Sequence, residues 1–164
     1  MNGKLRNMTS LYITAPGRIL CLYRIGSRVA NQMYIGSAGG HFEPEELNDA
    51  RACVLREAQE ELGLTEADLD GLALRYITLR LKNGEIRQNY YFFATLKDPS
   101  RPLASCEGKL EWIEHSRFPT LKMPGSAKHM ILHYLHTGQY DSLLYGGVST
   151  AEGASFVPLQ EYDD

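Results

Sequence analysis

The stretch GGHFEPEELNDARACVLREAQEELGL, residues 39–64, passes from a glycine-rich loop into a helical pattern. Ala50, Val54, Ala58 and Leu62 recur at every fourth position, which predicts a helix over about 48–62 with one apolar stripe. Asn48 or Asp49 can cap its start, and Gly63 suits the left-handed position just past its end. At 100° per residue, Glu57, Glu60 and Glu61 fall in one arc beside that stripe. Like charges at i, i+4 repel, by roughly 0.2–0.5 kcal/mol per exposed pair, and partial dehydration next to a core adds to the cost. A divalent cation bound by hard carboxylate oxygens would relieve it, whereas a solvated acidic face would explain the helix without any ligand.

The rest of the chain predicts a layered α+β domain. A Pro16-Gly17 turn joins two β-rich runs in SLYITAPGRILCLYRI. The Asn83-Gly84 pair joins LALRYITLRL to IRQNYYFFATL as a second hairpin. GKLEWIEH alternates as a further strand, and GSAKHMILHYLHTG reads as a second helix, with Ser126 as its cap and Gly138 as its stop. DSLLYGGVS and GASFVPL read as a small C-terminal hairpin. With no linker or repeat in view, residues 1–164 read as a single domain.

Composition narrows the function. The 164 residues carry a net charge of −3, and no basic run advertises a nucleic-acid polymer or an anionic membrane as partner. No apolar run approaches the roughly 20 residues of a membrane span. The first ten residues lack a signal-peptide core. Cys21, Cys53 and Cys106 are scattered without metal-type spacing, which fits reduced thiols and a cytoplasmic location.

Loop and helix together resemble the Nudix box, the signature of the Nudix (MutT-type) hydrolases. That box runs Gly, five residues, Glu, seven residues, then Arg-Glu-apolar-x-Glu-Glu-x-Gly-apolar. Gly40 and Glu46 match the first spacing; Arg56, Glu57, Ala58, Glu60, Glu61, Gly63 and Leu64 fill the second part. The match departs in one place, because nine residues rather than seven separate Glu46 from Arg56. Either the loop is longer by two, or Asn48 takes the place of the first glutamate.

The resemblance implies the Nudix fold, an α/β/α sandwich around a mixed sheet, and hydrolysis of a phosphoanhydride in a nucleoside diphosphate derivative. It implies Mg²⁺, or Mn²⁺, as cofactor, a small nucleotide as partner, and a homodimer as a common state. It makes Glu57, Glu60 and Glu61 metal ligands, adds the Gly39 carbonyl, and gives Arg56 the task of holding the carboxylates, with Glu46 in support. A further carboxylate from a later loop corresponds to Glu107, with Glu111 as alternate. Arg24 resembles an arginine that meets phosphate. Gly40, His41 and Tyr90 are further substrate-binding candidates, and Tyr34, Tyr91 and Phe118 could also stack on a base. His129, His133 and His136 lack an acid partner and read as partly exposed helix residues.

Motifs of other Nudix subfamilies are missing. The proline of ADP-ribose pyrophosphatases is absent near Leu79 and Arg80, Leu81 stands where diadenosine-polyphosphate hydrolases tend to carry tyrosine, and the coenzyme A and NADH signatures are not present. These absences favour the MutT-like group, which takes (deoxy)nucleoside triphosphates, oxidised ones such as 8-oxo-dGTP among them. The alternatives are an ADP-ribose or dinucleoside-polyphosphate hydrolase, and a nucleotide-binding module without catalysis.

Overall fold

The computed structural model describes residues 3–26 and 30–162. In these, the chain runs β1 (Leu5–Ala15), β2 (Arg18–Arg24), β3 (Met33–Ile35), α1 (Ala50–Leu62), β4 (Leu69–Lys82), β5 (Glu85–Leu96), β6 (Gly108–Glu114), α2 (Gly125–His136), β7 (Tyr145–Ser149) and β8 (Ala154–Pro158). The strands form one mixed sheet in the order β3-β2-β1-β5-β4-β7-β8, with β6 also paired to β2. The β1–β5 and β4–β7 pairs are parallel, and the rest are antiparallel.

Both expected hairpins form. Ala15 faces Arg18 across the Pro16-Gly17 turn, and Lys82 faces Glu85 across Asn83-Gly84. Asn83 and Gly84 have φ of 55° and 73°, the paired left-handed conformation whose twist suits a two-residue hairpin. The C-terminal hairpin forms too, but it is not a separate appendage: β7 lies parallel to β4, so the sheet continues through it.

Successive side chains of the central strands enter opposite layers. On β5, Phe92 and Ala94 pack with Leu11 and Ile13 against Val54, Ala58 and Leu62 of α1. Tyr91 and Phe93 pack with Tyr12 and Tyr76 against Ala127, Met130 and Ile131 of α2. One helix on each face makes the sandwich that the family resemblance implies.

Two helix boundaries differ from expectation. The first helix begins at Ala50, not Asn48, because Asp49 caps it by accepting the Ala52 N–H at 2.9 Å. The second starts after Pro124, so Ser126 is inside the helix rather than capping it. Proline favours the first turn without needing a side-chain cap, and this leaves the Ser126 hydroxyl to face the sheet, where it accepts a hydrogen bond from Arg80.

Candidate active site

The 39–64 segment brings its loop and helix into direct contact. The carbonyls of Ala38 and Gly40 accept N–H groups of Leu11 and Thr9, at 2.7 and 2.8 Å, which pins the loop along β1. Gly39, between them, has a φ of 152°, and a Cβ there would collide with the Thr9 carbonyl. Only glycine fits, and the Gly39 carbonyl stays outside that ladder. A Cβ on Gly40 would collide with the Glu57 carboxyl, so the glycine lets that acid settle against the loop backbone.

Arg56 organises the carboxylates. Its Nε and Nη2 donate to the two Glu46 oxygens at 2.7 and 3.0 Å. Its Nη1 reaches Glu57 at 2.8 Å and Glu60 at 3.1 Å, and its Nη2 also donates to the His41 carbonyl at 3.0 Å. Glu46 thus occupies the place opposite Arg56, while Asn48 is exposed; the short 3₁₀ turn at Pro44–Glu46 and the residues after it absorb the two-residue insertion. The Glu43 N–H also donates to Glu46, at 2.9 Å. Arg56, against burial, holds the Glu46 carboxyl at about 2.

The three helical acids differ in environment. Glu60 is exposed. Glu57 is 9% exposed, lies within the buried face of α1 rather than beside it, and burial raises its pKa against the pull of Arg56. Glu61 is half-buried and accepts the Gly39 N–H at 2.9 Å. Burial, with Glu107 and Glu57 as neighbouring charges, pushes its carboxyl up to about 7.

Glu107 comes to this group from the loop before β6, where its N–H donates to Ser105 Oγ at 3.2 Å. Its carboxylate meets Arg24 Nη2, at the end of β2, at 2.8 Å. That contact is an ion pair without hydrogen-bond alignment, and Arg24 Nε is buried with no hydrogen-bond partner among the described residues. Glu111 is engaged elsewhere, accepting from Tyr34 at 2.7 Å and from Arg117 at 2.6 Å.

A narrow cleft of about 120 Å³ opens beside Gly39 and Arg24, between the α2 face of the sheet and the start of α2. It is lined by Met8, Asn89, Tyr91, Arg80 and Ser126. A broader cleft of about 620 Å³ shares Arg80 and Ser126 with it and continues to Arg87, His129 and Ser149. Tyr90 stands on the other face of β5, its ring 5.3 Å from Phe42, and does not line the cleft. The side chain of His41 is exposed, and Phe118 is wholly buried in the core. His133 meets the Tyr76 hydroxyl through Nδ1 at 2.8 Å, and His136 is exposed. Sequence reasoning passed over Asn89, Arg80 and Ser126 as cleft residues. The two-residue Asn83-Gly84 turn held a usable signal, since it sets Arg80 opposite Arg87 and Thr78 opposite Asn89.

Among the described residues no three acids, histidines or thiols converge as an ion cage as they stand, because Arg56 engages Glu57 and Glu60 while Gly39 engages Glu61. Their chemistry nevertheless suits a hard dication: crowded carboxylate oxygens, two of them dehydrated, beside a carbonyl free of the β1 ladder.

The match to the NUDIX domain extends over residues 5–134, and the chain belongs to the Nudix family of hydrolases, which act on phosphorus-containing anhydrides. Among solved structures, it is similar to the mutator MutT protein of Bacillus halodurans, with 22% identity, a TM-score of 0.68, and coverage of 92% of this chain and 97% of that one. A MutT Nudix hydrolase from Burkholderia pseudomallei is 22% identical, with a TM-score of 0.59 over 81% of this chain and 97% of its own. An Ap4A hydrolase of C. elegans is 15% identical, with a TM-score of 0.64 over 83% of this chain and 99% of its own. No curated protein matches the chain. No helix among the described residues is long and apolar enough to cross a membrane.

Proposed function

We propose that the chain is a Mg²⁺-dependent nucleotide pyrophosphohydrolase of the MutT-like kind, cleaving a phosphoanhydride of a (deoxy)nucleoside triphosphate, with oxidised forms such as 8-oxo-dGTP among its substrates. Mn²⁺ is the alternative ion. The observation that supports this most is the position of Glu61: a half-buried acid beside Glu57, Glu107 and Arg24, tied to the Gly39 loop at the mouth of a cleft. So much negative charge in a partly dehydrated place is costly unless a cation and an anionic ligand meet there.

In this reading Glu57, Glu60, Glu61 and the Gly39 carbonyl hold the ion, which supplies charge neutralisation at the phosphates. Arg56, braced by Glu46, fixes the rotamers of Glu57 and Glu60. Arg24 has an unused Nε and takes a phosphate oxygen. Glu107, on a loop, accepts the proton of the water that attacks phosphorus; as the new P–O bond forms, the bridging P–O bond of the anhydride breaks and nucleoside monophosphate and pyrophosphate separate. The cleft between sheet and α2 receives the nucleoside. Nothing in this scheme needs a nucleic-acid polymer or a membrane.

The test is incubation of the purified protein with Mg²⁺ and a panel of 8-oxo-dGTP, dNTPs, ADP-ribose and diadenosine polyphosphates, with product identification. Nucleoside monophosphate and pyrophosphate are expected from the triphosphates, with Glu61→Gln losing at least a hundredfold in kcat. Silence across the panel, or a Glu61→Gln variant equal to the parent, would sink the catalytic reading. Cleavage confined to ADP-ribose or the dinucleoside polyphosphates would move the chain to that substrate class.

A further inference from the structure

The cleft has a cationic floor, Arg80 and Arg87, that the roles assigned above leave unused. Arg6 on β1 is in register with Arg87 on β5, and Arg87 with Arg80 on β4, so three arginines lie side by side. Cross-strand neighbours in register point to the same face, here the face toward α2. The acid among them is Glu85, which is 7% exposed and carries ion pairs to Arg87 at 3.0 Å, Arg6 at 3.2 Å and Lys4 at 3.8 Å. One carboxylate is therefore shared by three cations and reaches no further. Arg80 has no carboxylate partner among the described residues, and its guanidinium, with five N–H donors, meets Ser126 Oγ.

Unsatisfied polar groups surround it. Ser149 Oγ on β7 and His129 Nδ1 on α2 are buried, without a hydrogen-bond partner among the described residues, and both residues line the broader cleft with Arg80. Asn89, 6% exposed, lines the inner cleft, and its amide NH2 supplies two further donors. Buried polar groups in folded proteins are nearly always paired, so the unpaired Ser149 and His129 atoms beside an arginine that lacks a carboxylate partner point to a ligand. Burial also pulls the Arg80 pKa down, so the guanidinium carries a desolvation cost that an anion would offset.

We propose that this part of the cleft is a second anion subsite, and that the preferred substrate is a nucleotide anhydride bearing an additional phosphate monoester at the end remote from the helical glutamates. The proposal rests on the reading of the chain as a nucleotide pyrophosphohydrolase and narrows its substrate class. A dianionic phosphate offers three acceptor oxygens to the Arg80 fork, the Ser149 hydroxyl and the His129 ring; a neutral base would leave the arginines unbalanced.

The experiment separates binding from turnover. Adenosine 3′,5′-bisphosphate and AMP are titrated calorimetrically into the full chain in EDTA, where the helical glutamates cannot recruit metal. The bisphosphate is expected to bind at least tenfold more tightly, with the advantage shrinking as salt rises. Arg80→Gln brings the ratio to within about twofold, and Arg80→Lys restores part of it. Equal binding of the two nucleotides by the parent protein overturns the subsite, and this result does not depend on any variant folding. A ratio that survives in folded Arg80→Gln also overturns it. In parallel, ADP and its 3′-phosphorylated form are compared as substrates with Mg²⁺, and kcat/KM is expected to favour the phosphorylated one at least tenfold. Hydrolysis of both without preference, together with equal binding, removes the subsite and leaves the hydrolase. A preserved binding ratio with no hydrolysis of any anhydride removes the hydrolase and leaves the subsite.

Discussion

Glu46 and Glu61 belong to one loop-helix segment, yet their surroundings push their acidities apart. For Glu46 the folded value, about 2, lies below the ordinary 4.5, so its contribution to stability is complete above pH 4.5 and is lost as pH falls through 2. For Glu61 the folded value, about 7, lies above 4.5. The folded protein then binds the proton more tightly than the unfolded chain, and that contribution is present below 4.5 and lost as pH rises through 7. Two expectations follow from these signs. Glu46→Gln keeps the volume but removes the charge that Arg56 grips, and it should cost about 2 kcal/mol at pH 7 by chemical denaturation, with the difference vanishing near pH 2. Metal-free Glu61→Gln should melt with the parent at pH 5 and above it at pH 8, because the amide removes a dehydrated charge; scanning calorimetry at the two pH values decides. The same substitution is expected to abolish turnover, so stability and function would trade against each other at one atom pair.

Within the elements, α1 has an anchoring stripe and an acidic arc that overlap at Glu57, which sits within the buried set with Cys53, Val54, Ala58 and Leu62. The helix stops at Gly63, whose φ of 65° lets its N–H turn back to the Ala58 and Gln59 carbonyls. Gly63→Ala should cost about 1 kcal/mol of stability, since a Cβ disfavours that conformation while nothing nearby obstructs it. The measurement is the urea midpoint at unchanged slope. A larger loss would mean that the end of α1 also sets the position of Glu61, two residues earlier.

At the scale of the whole molecule, the two faces of the sheet divide the labour. The α1 face carries the acids, and the α2 face carries the cleft, so packing of α2 governs the width of that cleft. Met130, on the face of α2 turned to the sheet, is wholly buried. Met130→Ala should destabilise the fold by about 3 kcal/mol through the cavity it leaves. It should also raise KM more than it lowers kcat, because the wall bearing Ser126 and His129 loosens while the glutamates stay fixed. Thermal melting and steady-state kinetics check the two halves separately.

Much of this was legible in the residues. The four-residue spacing from Ala50 to Leu62, the Asn-Gly turn and the β-rich runs act through local sterics and periodic burial, which a sequence displays directly. The Arg56-Glu57 and Glu60-Glu61 pairs share one helix, so their proximity is a matter of pitch. The rest came from the tertiary fold, through contacts between segments distant in the chain. It chose Glu46 over Asn48 opposite Arg56, because a loop insertion has no periodicity from which to count. It put Tyr90 with Phe42 and Tyr91 toward the cleft, since alternation says that neighbours diverge but not which face receives a ligand. It joined β7 to β4 and so brought Ser149 to Arg80. The elements and the chemistry gathered on α1 follow from local pattern in the residues; which charges are dehydrated, paired or left open follows from the packing of distant segments, because burial is a property of the packed molecule and not of any one segment.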